Sequence, residues 1–172
     1  MRQSITEVTA ESITMRPDRM QAFLRRPNVA VLSWITQTGE PMSTPIWYRY
    51  EDGRFLMHTG YETAKARAIR RNGRVCLCIQ DPEPPYRFVT VRGRATFIRD
   101  AERALRLYEE LARHYYDRLG AGYYIRNVVR KMAGEHVILE VTPDKTTTLD
   151  ATEAVNPLAL AAWKTLRRLP GL

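Results

Sequence analysis

The sequence contains few of the residues that cross-link a chain or hold a metal ion. It has two cysteines, Cys76 and Cys78, one residue apart in an apolar run, and three histidines, His58, His114 and His136, without metal-ligand spacing. Cysteines so close together on one strand are poor disulfide partners, and we interpret them as buried free thiols that suit a reducing cytoplasm. We therefore expect neither a disulfide framework nor a zinc site.

Long hydrophobic runs and glycine-rich phosphate loops are also missing. No apolar stretch reaches the roughly 18 residues of a membrane span, and the segment MRQSITEVTAESITMRPD has no apolar core of signal-peptide length. The glycine spots at 92–94 and 120–122 have the wrong spacing for a nucleotide loop, and no Ser, His and acid set stands out. These absences predict a cytoplasmic protein without a membrane span. If it is an enzyme, its chemistry belongs to a cofactor.

The composition is that of a folded domain with an excess of positive charge. Apolar residues make up 44% and charged residues 27% of the 172 positions, so one ordinary domain with its own core is expected. The net charge of +8 favours an anionic partner, which leaves open a nucleic acid, an acidic membrane surface or an anionic small molecule. No recognition motif interleaves aromatic with basic residues, so we expect no specific nucleic-acid binding.

Periodicity and turn signals predict six strands and several helices. Strands are expected at 28–36, 42–50, 54–59, 74–81, 87–100 and 135–150, and helices at 16–27, 61–72, 101–119, 122–132 and in the tail from 156. Short turns join most of the neighbouring strands, so the sheet is predicted to be antiparallel and coiled into a small barrel with flanking helices. We assign residues 16–150 to this domain, 1–15 to a mobile N-terminus and 151–172 to a tail with a short amphipathic helix.

The order of these elements, with VAVLSWITQTGEPMSTPIWYRYEDGRFLMHTGYETAKARAIRRNGRVCLCI followed by YRFVTVRGRA and VILEVTPDKTTTLD, resembles a known family. It is similar to the split β-barrel family of pyridoxamine 5′-phosphate oxidase-like proteins, and most similar to the branch of reductases that use flavin or the deazaflavin coenzyme F420. The likeness covers about residues 16–150. It implies a mainly β, six-stranded antiparallel split barrel that forms a homodimer with cofactor sites at the interface.

In the oxidase of that family, hydroxyls and cations after the third strand hold the flavin phosphate. The segment HTGYETAK aligns with that motif and matches it at Thr59, Thr63 and Lys65, whereas Ala64 stands where the oxidase has an arginine. Hydroxyl groups, an ammonium group and the N-terminus of a helix all suit a phosphate. The missing arginine indicates the deazaflavin branch rather than the oxidase. Further arginines at 67, 70 and 71 are then available for a longer anionic tail.

The resemblance also implies contacts to the ring of the cofactor and to the partner subunit. The segment STPIWYR would lie along the tricyclic ring, and Phe88 replaces a glutamine of the oxidase, with Arg87 before it in reach of the cofactor tail from the partner chain. The full set of predicted cofactor-binding residues is Thr44, Pro45, Ile46, Trp47, Thr59, Thr63, Lys65, Ala66 and Arg87. Catalytic side chains are not assigned, but Tyr48, Tyr86, Tyr123 and Tyr124 are candidates for the acceptor pocket or the proton donor.

Each of these features also has a purely structural interpretation. Thr59 and Thr63 are ordinary residues for the start of a helix, where threonine often serves as a cap, and the arginines after Lys65 form a typical solvated face. Trp47 and Tyr48 alternate along a strand, so one of them is expected in the core or an interface. The stripe of Leu105, Tyr108 and Leu111 is interpreted as packing.

The predicted function is an F420-dependent oxidoreductase that passes a hydride from the reduced deazaflavin to a small conjugated or electron-poor acceptor. An FMN-binding reductase or FMN carrier of the same fold is the alternative, and a basic nucleic-acid-binding module is a third reading from a different class. No metal is expected. The acceptor itself is not predicted from the sequence.

Overall fold

The computed structural model describes residues 14–132, 134–152 and 156–166. In chain order the helices and strands are α1 (Pro17–Leu24), β1 (Ala30–Ile35), β2 (Pro41–Ile46), β3 (Arg49–Glu51), β4 (Arg54–Gly60), α2 (Ala64–Arg71), β5 (Arg74–Gln80), β6 (Arg87–Ile98), α3 (Ala101–Tyr115), α4 (Arg118–Asn127), a 3₁₀ turn (Val129–Lys131), β7 (His136–Asp150) and α5 (Pro157–Leu166).

All strands belong to one antiparallel sheet in the order β2-β1-β5-β6-β7-β4-β3. This confirms the mainly β, antiparallel fold with flanking helices, but the strand count is seven rather than six. The run predicted as one strand at 42–50 divides at Trp47 and Tyr48, because β2 pairs with β1 whereas β3 pairs with β4. The two edge strands of the sheet are therefore consecutive in the chain, as in a barrel that is split between them.

Two local features bend and connect the long strands. The tight turn between β3 and β4 uses Asp52 and Gly53, both with positive φ (48° and 75°), which is the backbone of a two-residue hairpin turn. The β6–β7 pairing shifts register between Arg92 and Gly93. A Cβ atom at Gly93 would lie 2.4 Å from the carbonyl oxygen of Thr142, so only glycine fits this approach of the two strands.

Alternate residues of the strands fill the interior of the barrel. Phe55 and Met57 of β4, Leu77 of β5 and Leu139 of β7 are fully buried there, and Ile69 of α2 joins the same cluster. The opposite face of β4 packs on α3 through Leu56, which contacts Leu107 and Ile138 in a second cluster. Helices α3 and α4 therefore lie outside the barrel, against the part of β4 that leads to the segment HTGYETAK.

The prediction of a single helix over residues 101–119 is wrong at its C-terminal end. Helix α3 stops at Tyr115, and α4 begins at Arg118 because the side chain of Asp117 accepts a hydrogen bond from the amide of Gly120. Tyr116, at this break, meets the ring of Trp47 edge-on at 5.4 Å.

The cysteines and the chain ends also differ from the expectations in part. Cys76 and Cys78 are free thiols, but they are half-buried, since Val75, Leu77 and Ile79 occupy the inner face of β5. Of the predicted mobile N-terminus only Thr14 and Met15 are described, and Met15 is buried. In the tail, α5 is present, whereas Arg167 and Arg168 lie outside the described residues. None of the described helices is long and apolar enough to cross a membrane.

Candidate functional site

A small cavity lies between the split edge of the barrel and helices α3 and α4. Its volume is about 200 Å³, and we call it the aromatic cavity. It is lined by Val29, Pro45, Ile46, Trp47, His58, Tyr108, Leu111 and Tyr124. The lining comes from β2, β4, α3 and α4, so the cavity exists only because the helices fold back over the strands.

Trp47 is the centre of the ring cluster that forms one wall of this cavity. Its indole stacks on Tyr115 with ring centroids 5.1 Å apart and planes inclined by 12°, and Tyr116 meets it edge-on at 5.4 Å. On the cavity side, Tyr124 lies 5.4 Å from Trp47, and its hydroxyl is 2.7 Å from that of Tyr108. Such contacts hold the rings of this wall in defined positions.

His58 lines the same cavity and is held on two sides. Its ring stacks on Tyr108 at a centroid distance of 4.0 Å with planes inclined by 11°, and its Nε2 is 3.0 Å from Nδ1 of His136. Burial, followed by the neighbouring His136 and Lys65, lowers the pKa of His58 to about 4. At neutral pH His58 is therefore an uncharged imidazole.

Lys65 is the cation closest to this group. It lies in the first turn of α2 and is half-buried, and burial lowers the pKa of its ammonium group. No carboxylate forms an ion pair with Lys65 in the part of the chain that the structure describes. A partly desolvated cation without a counter-ion is unfavourable, and an anion at this point would stabilise it.

The N-terminus of α2 adds hydrogen-bond donors beside Lys65. Thr63 caps the helix: its hydroxyl donates to the carbonyl of Gly60 at 2.9 Å and accepts from the amide of Ala66 at 3.3 Å. The capping interpretation of Thr63 is thus confirmed. The amides of Ala64 and Lys65 precede the first intrahelical bond, so they remain available to an anion at the helix end.

Thr59 faces away from the aromatic cavity. It alternates with His58 on β4 and points into the barrel interior, where it is 4% exposed and its hydroxyl oxygen has no hydrogen-bond partner. A buried hydroxyl without a partner is rare in a native protein, and it marks this end of the barrel as one where polar groups are incompletely satisfied.

Arg87 lies far from the other predicted residues within the chain. It begins β6, whereas Thr59 and Lys65 lie near the last residues of that strand, about 30 Å away by the rise per residue of a strand. Its Nε donates to Asp81 at 2.6 Å, and its guanidinium lies 5.5 Å from the ring centroid of Phe23. The structure therefore gives Arg87 a bond to its own chain.

The predicted set thus divides into separate groups. Pro45, Ile46 and Trp47 line the aromatic cavity, with Thr44 half-buried beside them on β2, and Lys65 and Ala66 lie with Thr63 in the first turn of α2. The charge of Lys65 reaches His58, which connects the two groups. Thr59 and Arg87 stand apart from them.

The arginines that follow Lys65 are bound within the chain. Arg67 donates to the carbonyl of Glu62, Arg71 to the side chain of Gln37, and Arg70 to the carbonyl of Tyr61, over whose ring its guanidinium lies at 4.0 Å. They are therefore less available to a ligand than their number in the sequence indicates.

The four candidate tyrosines have different surroundings. Tyr48 is 1% exposed and belongs to the core, which makes it the inward member of the Trp47–Tyr48 pair, while Tyr86 and Tyr123 are 57% and 65% exposed. Tyr124 alone among the four lines the aromatic cavity. The structure thus favours Tyr124.

Sequence reasoning missed His58, His136 and Tyr108 as members of the site. His58 and His136 are 78 positions apart, and only the β4–β7 pairing, with Gly60 opposite His136, brings them together. Tyr108 sits in an apolar stripe at helical spacing, where an aromatic residue looks like core. The one available signal was the polar character of His58 in an otherwise apolar strand.

The sequence profile of the family described as pyridoxamine 5′-phosphate oxidase matches residues 17–150. The chain belongs to this family. Its match spans β1 to β7 and includes both the aromatic cavity and the first turn of α2. A comparison with curated proteins finds no significant match.

Solved structures share the fold of this family member. An F420 reductase superposes with a TM-score of 0.59 at 22% identity, covering 73% of this chain and 94% of that one. A conserved hypothetical protein of Mycobacterium tuberculosis gives a TM-score of 0.70 at 23% identity, covering 88% and 94%. A FAD-binding protein of Mesorhizobium loti gives 0.56 at 17% identity, covering 78% and 94%. These identities show a common fold.

Proposed function

We propose that this protein is an oxidoreductase that binds a phosphate-bearing deazaflavin, coenzyme F420, and reduces a small conjugated or electron-poor acceptor. The observation that carries the proposal is Lys65, a half-buried cation with a lowered pKa and no carboxylate partner among the described residues, next to free amides of α2. That arrangement fits a phosphate or phosphodiester group.

The residues around Lys65 would divide the binding of such a cofactor between them. The ammonium group of Lys65 and the amides of Ala64 and Lys65 would hold the phosphate, and the strand segment from Thr44 to Trp47 would lie along the ring. When bound, the deazaflavin supplies the hydride. The chain would supply the relative position of cofactor and acceptor, which is the larger part of what a protein contributes to such chemistry.

The aromatic cavity is the proposed site of the acceptor. Its volume of about 200 Å³ suits a small planar molecule, and the rings of Trp47, Tyr108 and Tyr124 offer flat apolar contacts. Burial, followed by the hydrogen bond with Tyr124, raises the pKa of Tyr108, so the Tyr108 hydroxyl is a poor acid at neutral pH. We therefore expect the proton that completes the reduction to come from solvent.

We also propose that the chain works as a homodimer. The outer face of β1 exposes Val31 and Ile35 at 37% and 41%, and the prolines opposite them on β2, Pro45 and Pro41, are exposed too, so an apolar patch faces outward on this edge of the sheet. A second copy would cover them. Light scattering on a gel-filtration column measures this directly, and a monomer at micromolar concentration would contradict it.

FMN is the alternative cofactor, since it also carries a phosphate group, as a monoester, and has a similar ring. Replacement of the oxidase arginine by Ala64 favours F420, and an F420 reductase and a FAD-binding protein are both among the proteins of similar fold. Titration of the purified protein with F420 and with FMN, followed by fluorescence quenching, distinguishes the two. We expect F420 to bind with micromolar affinity. If FMN binds and F420 does not, the cofactor of this protein is FMN. If neither binds, the proposal is refuted.

A further inference from the structure

One edge of the His58 ring has no partner within the described part of the chain. Its Nε2 faces His136 at 3.0 Å, and its flat face is covered by Tyr108 at 4.0 Å. Nδ1 makes no hydrogen bond to any described residue, yet it is not among the polar atoms sealed inside the protein. Because His58 lines the aromatic cavity, its Nδ1 is a polar atom within reach of a ligand there, besides the hydroxyls of Tyr108 and Tyr124, which pair with each other.

The hydrogen bonds behind His58 decide whether this nitrogen donates or accepts. Nε2 of His136 lies 3.5 Å from the carbonyl oxygen of Met132, which can only accept, so a hydrogen bond here requires the proton on this nitrogen. Nδ1 of a neutral His136 then holds a lone pair. The proton in the 3.0 Å contact must therefore belong to Nε2 of His58, and Nδ1 of His58 is left as an acceptor.

We propose that Nδ1 of His58 selects the ligand of the aromatic cavity by accepting a hydrogen bond from an N–H or O–H group on its ring. His136 is the positioning residue, because its bond fixes the tautomer of His58 while the stack on Tyr108 fixes the ring plane. The inference rests on the proposed function in taking this ligand to be the acceptor substrate. It narrows that substrate to conjugated rings that carry a hydrogen-bond donor.

The contact of His58 with His136 explains how a half-buried histidine can act as a hydrogen-bond acceptor although burial opposes a charged ring. A neutral imidazole with one fixed proton is a directional acceptor, whereas an imidazolium would place a second positive charge beside Lys65. A ligand without the donor would cover Nδ1 and displace water from it without giving it a partner, and an acceptor left unpaired in this way weakens binding.

Binding of indole and of 1-methylindole to the full-length protein tests the preference directly. The two probes have nearly the same apolar ring, but only indole has an N–H. We expect indole to bind about tenfold more tightly, as one hydrogen bond to a desolvated acceptor predicts. The measurement follows the ring signals of protein labelled with ¹⁵N-histidine, in which three histidines give three assignable imidazoles. Equal affinities of the two probes would overturn the inference.

The same spectra test the tautomer and the role of His136. In the wild-type protein we expect the His58 proton on Nε2, where it exchanges slowly with solvent. In the His136→Phe variant this proton should exchange faster, and indole should bind about threefold more weakly. His58→Phe keeps the stack on Tyr108 and should abolish the preference for indole, whereas the exposed His114→Gln control should change neither probe. A proton found on Nδ1 of His58 in the wild-type protein would refute the proposal.

Failure of this inference and failure of the cofactor assignment are distinguishable. The indole experiment uses the protein without cofactor, so a protein that binds neither F420 nor FMN can still show the donor preference. Conversely, normal F420 binding with equal affinity for both probes would retain the cofactor assignment and remove the role of His58.

Discussion

The polar groups at the two ends of β7 differ in whether they have hydrogen-bond or ion-pair partners. At the paired end, defined by Asp81, Asp150 and Arg87, Asp81 accepts from Arg87 at 2.6 Å, and Asp150 contacts Arg19 at 3.3 Å. At the open end, defined by Thr59, Lys65 and the outer edge of His58, the described residues supply no such partner. Both ends contain residues that resemble parts of a cofactor site. Asp81, Asp150 and Arg87 have partners among the described residues, whereas Thr59, Lys65 and the outer edge of His58 do not.

This difference separates structural from binding residues better than residue type does. An arginine that is already bonded to a buried carboxylate must lose that bond to reach a ligand, whereas Lys65 gains a partner when an anion arrives. We therefore expect changes at the paired end to alter stability, and changes at the open end to alter binding.

The largest effect is expected at the paired end. Asp81→Ala leaves Arg87 half-buried without its 2.6 Å partner and also removes the weaker contact to Arg26 at 3.9 Å. Loss of one member of a buried pair should lower the free energy of unfolding by about 3 kcal/mol, measured by urea denaturation. Glu102→Ala, at an exposed i,i+4 pair with Arg106, is the control and should change it by less than about 0.5 kcal/mol. If Asp81→Ala weakens cofactor binding and leaves the stability unchanged, the paired end is a binding site and the comparison of the two ends is wrong.

The next effect concerns binding at the open end. Lys65→Met removes the half-buried cation, and the affinity for F420 should fall by roughly 10- to 30-fold, the value of about 2 kcal/mol for a charged hydrogen bond. Stability should be unchanged or slightly higher, because the variant no longer buries an uncompensated charge. Arg67→Met, in the same helix but exposed and bonded to the carbonyl of Glu62, is the matched control and should weaken binding little. Similar losses in both variants would show that the general positive charge, and not Lys65, binds the anion.

The two ends should also differ in how the free energy of unfolding depends on pH, and at the open end we expect a change of roughly 1–2 kcal/mol. The pKa of His58 is lowered to about 4 in the folded state, so the unfolded chain takes up a proton first as the pH falls below its ordinary value near 6.5. Stability should therefore fall between about pH 6.5 and 4, and urea denaturation across that range should show a smaller fall in His58→Phe. An unchanged slope in the variant would assign this pH window to other groups.

At the paired end, stability should be lost over a lower range of pH than at the open end. Burial alone would raise the pKa of Asp150, but hydrogen bonds from Thr152 and the charges of Arg19 and Arg87 outweigh it and lower the pKa. The stability that this carboxylate contributes is present above its ordinary pKa and is lost as the pH falls through the lowered value. Asp150→Asn should therefore remove pH dependence only below about pH 4.

The smallest expected effect tests the choice between cofactors. Ala64→Arg restores the arginine of the oxidase motif at an exposed position of the first turn of α2, and should raise the affinity for FMN about threefold, as an exposed charge at a helix end predicts. Ala64→Gln is the uncharged control. Equal FMN affinities in the two variants would remove Ala64 as an argument for F420.

Much of the fold follows from local patterns. The strands β1 and β5 with their alternating burial, the hairpin turn at Asp52 and Gly53, and the cap of α2 at Thr63 all lie where the sequence predicts them. The predicted division into residues 1–15, 16–150 and 151–172 stays a prediction. The errors arose where a continuous β pattern changes its pairing partner at Trp47, and where Asp117 starts a new helix inside a helical pattern.

The chemical type of the site was accessible from the sequence in part. The segment from His58 to Ala66 identified Lys65 and the helix end, because a strand, a cap and a cation are consecutive there. Arg87 could not be judged, since its bond to Asp81 depends on how the ends of β5 and β6 come together.

By itself, the sequence determined the strand and helix content, the family and the presence of a cation at the start of α2, since these depend on neighbouring residues. Only the tertiary structure decided which polar groups have partners. The 3.0 Å contact of His58 with His136 and the closure of the aromatic cavity by α3 and α4 join residues that the sequence separates. Whether a buried group is paired depends on these long-range contacts, and no local pattern contains them.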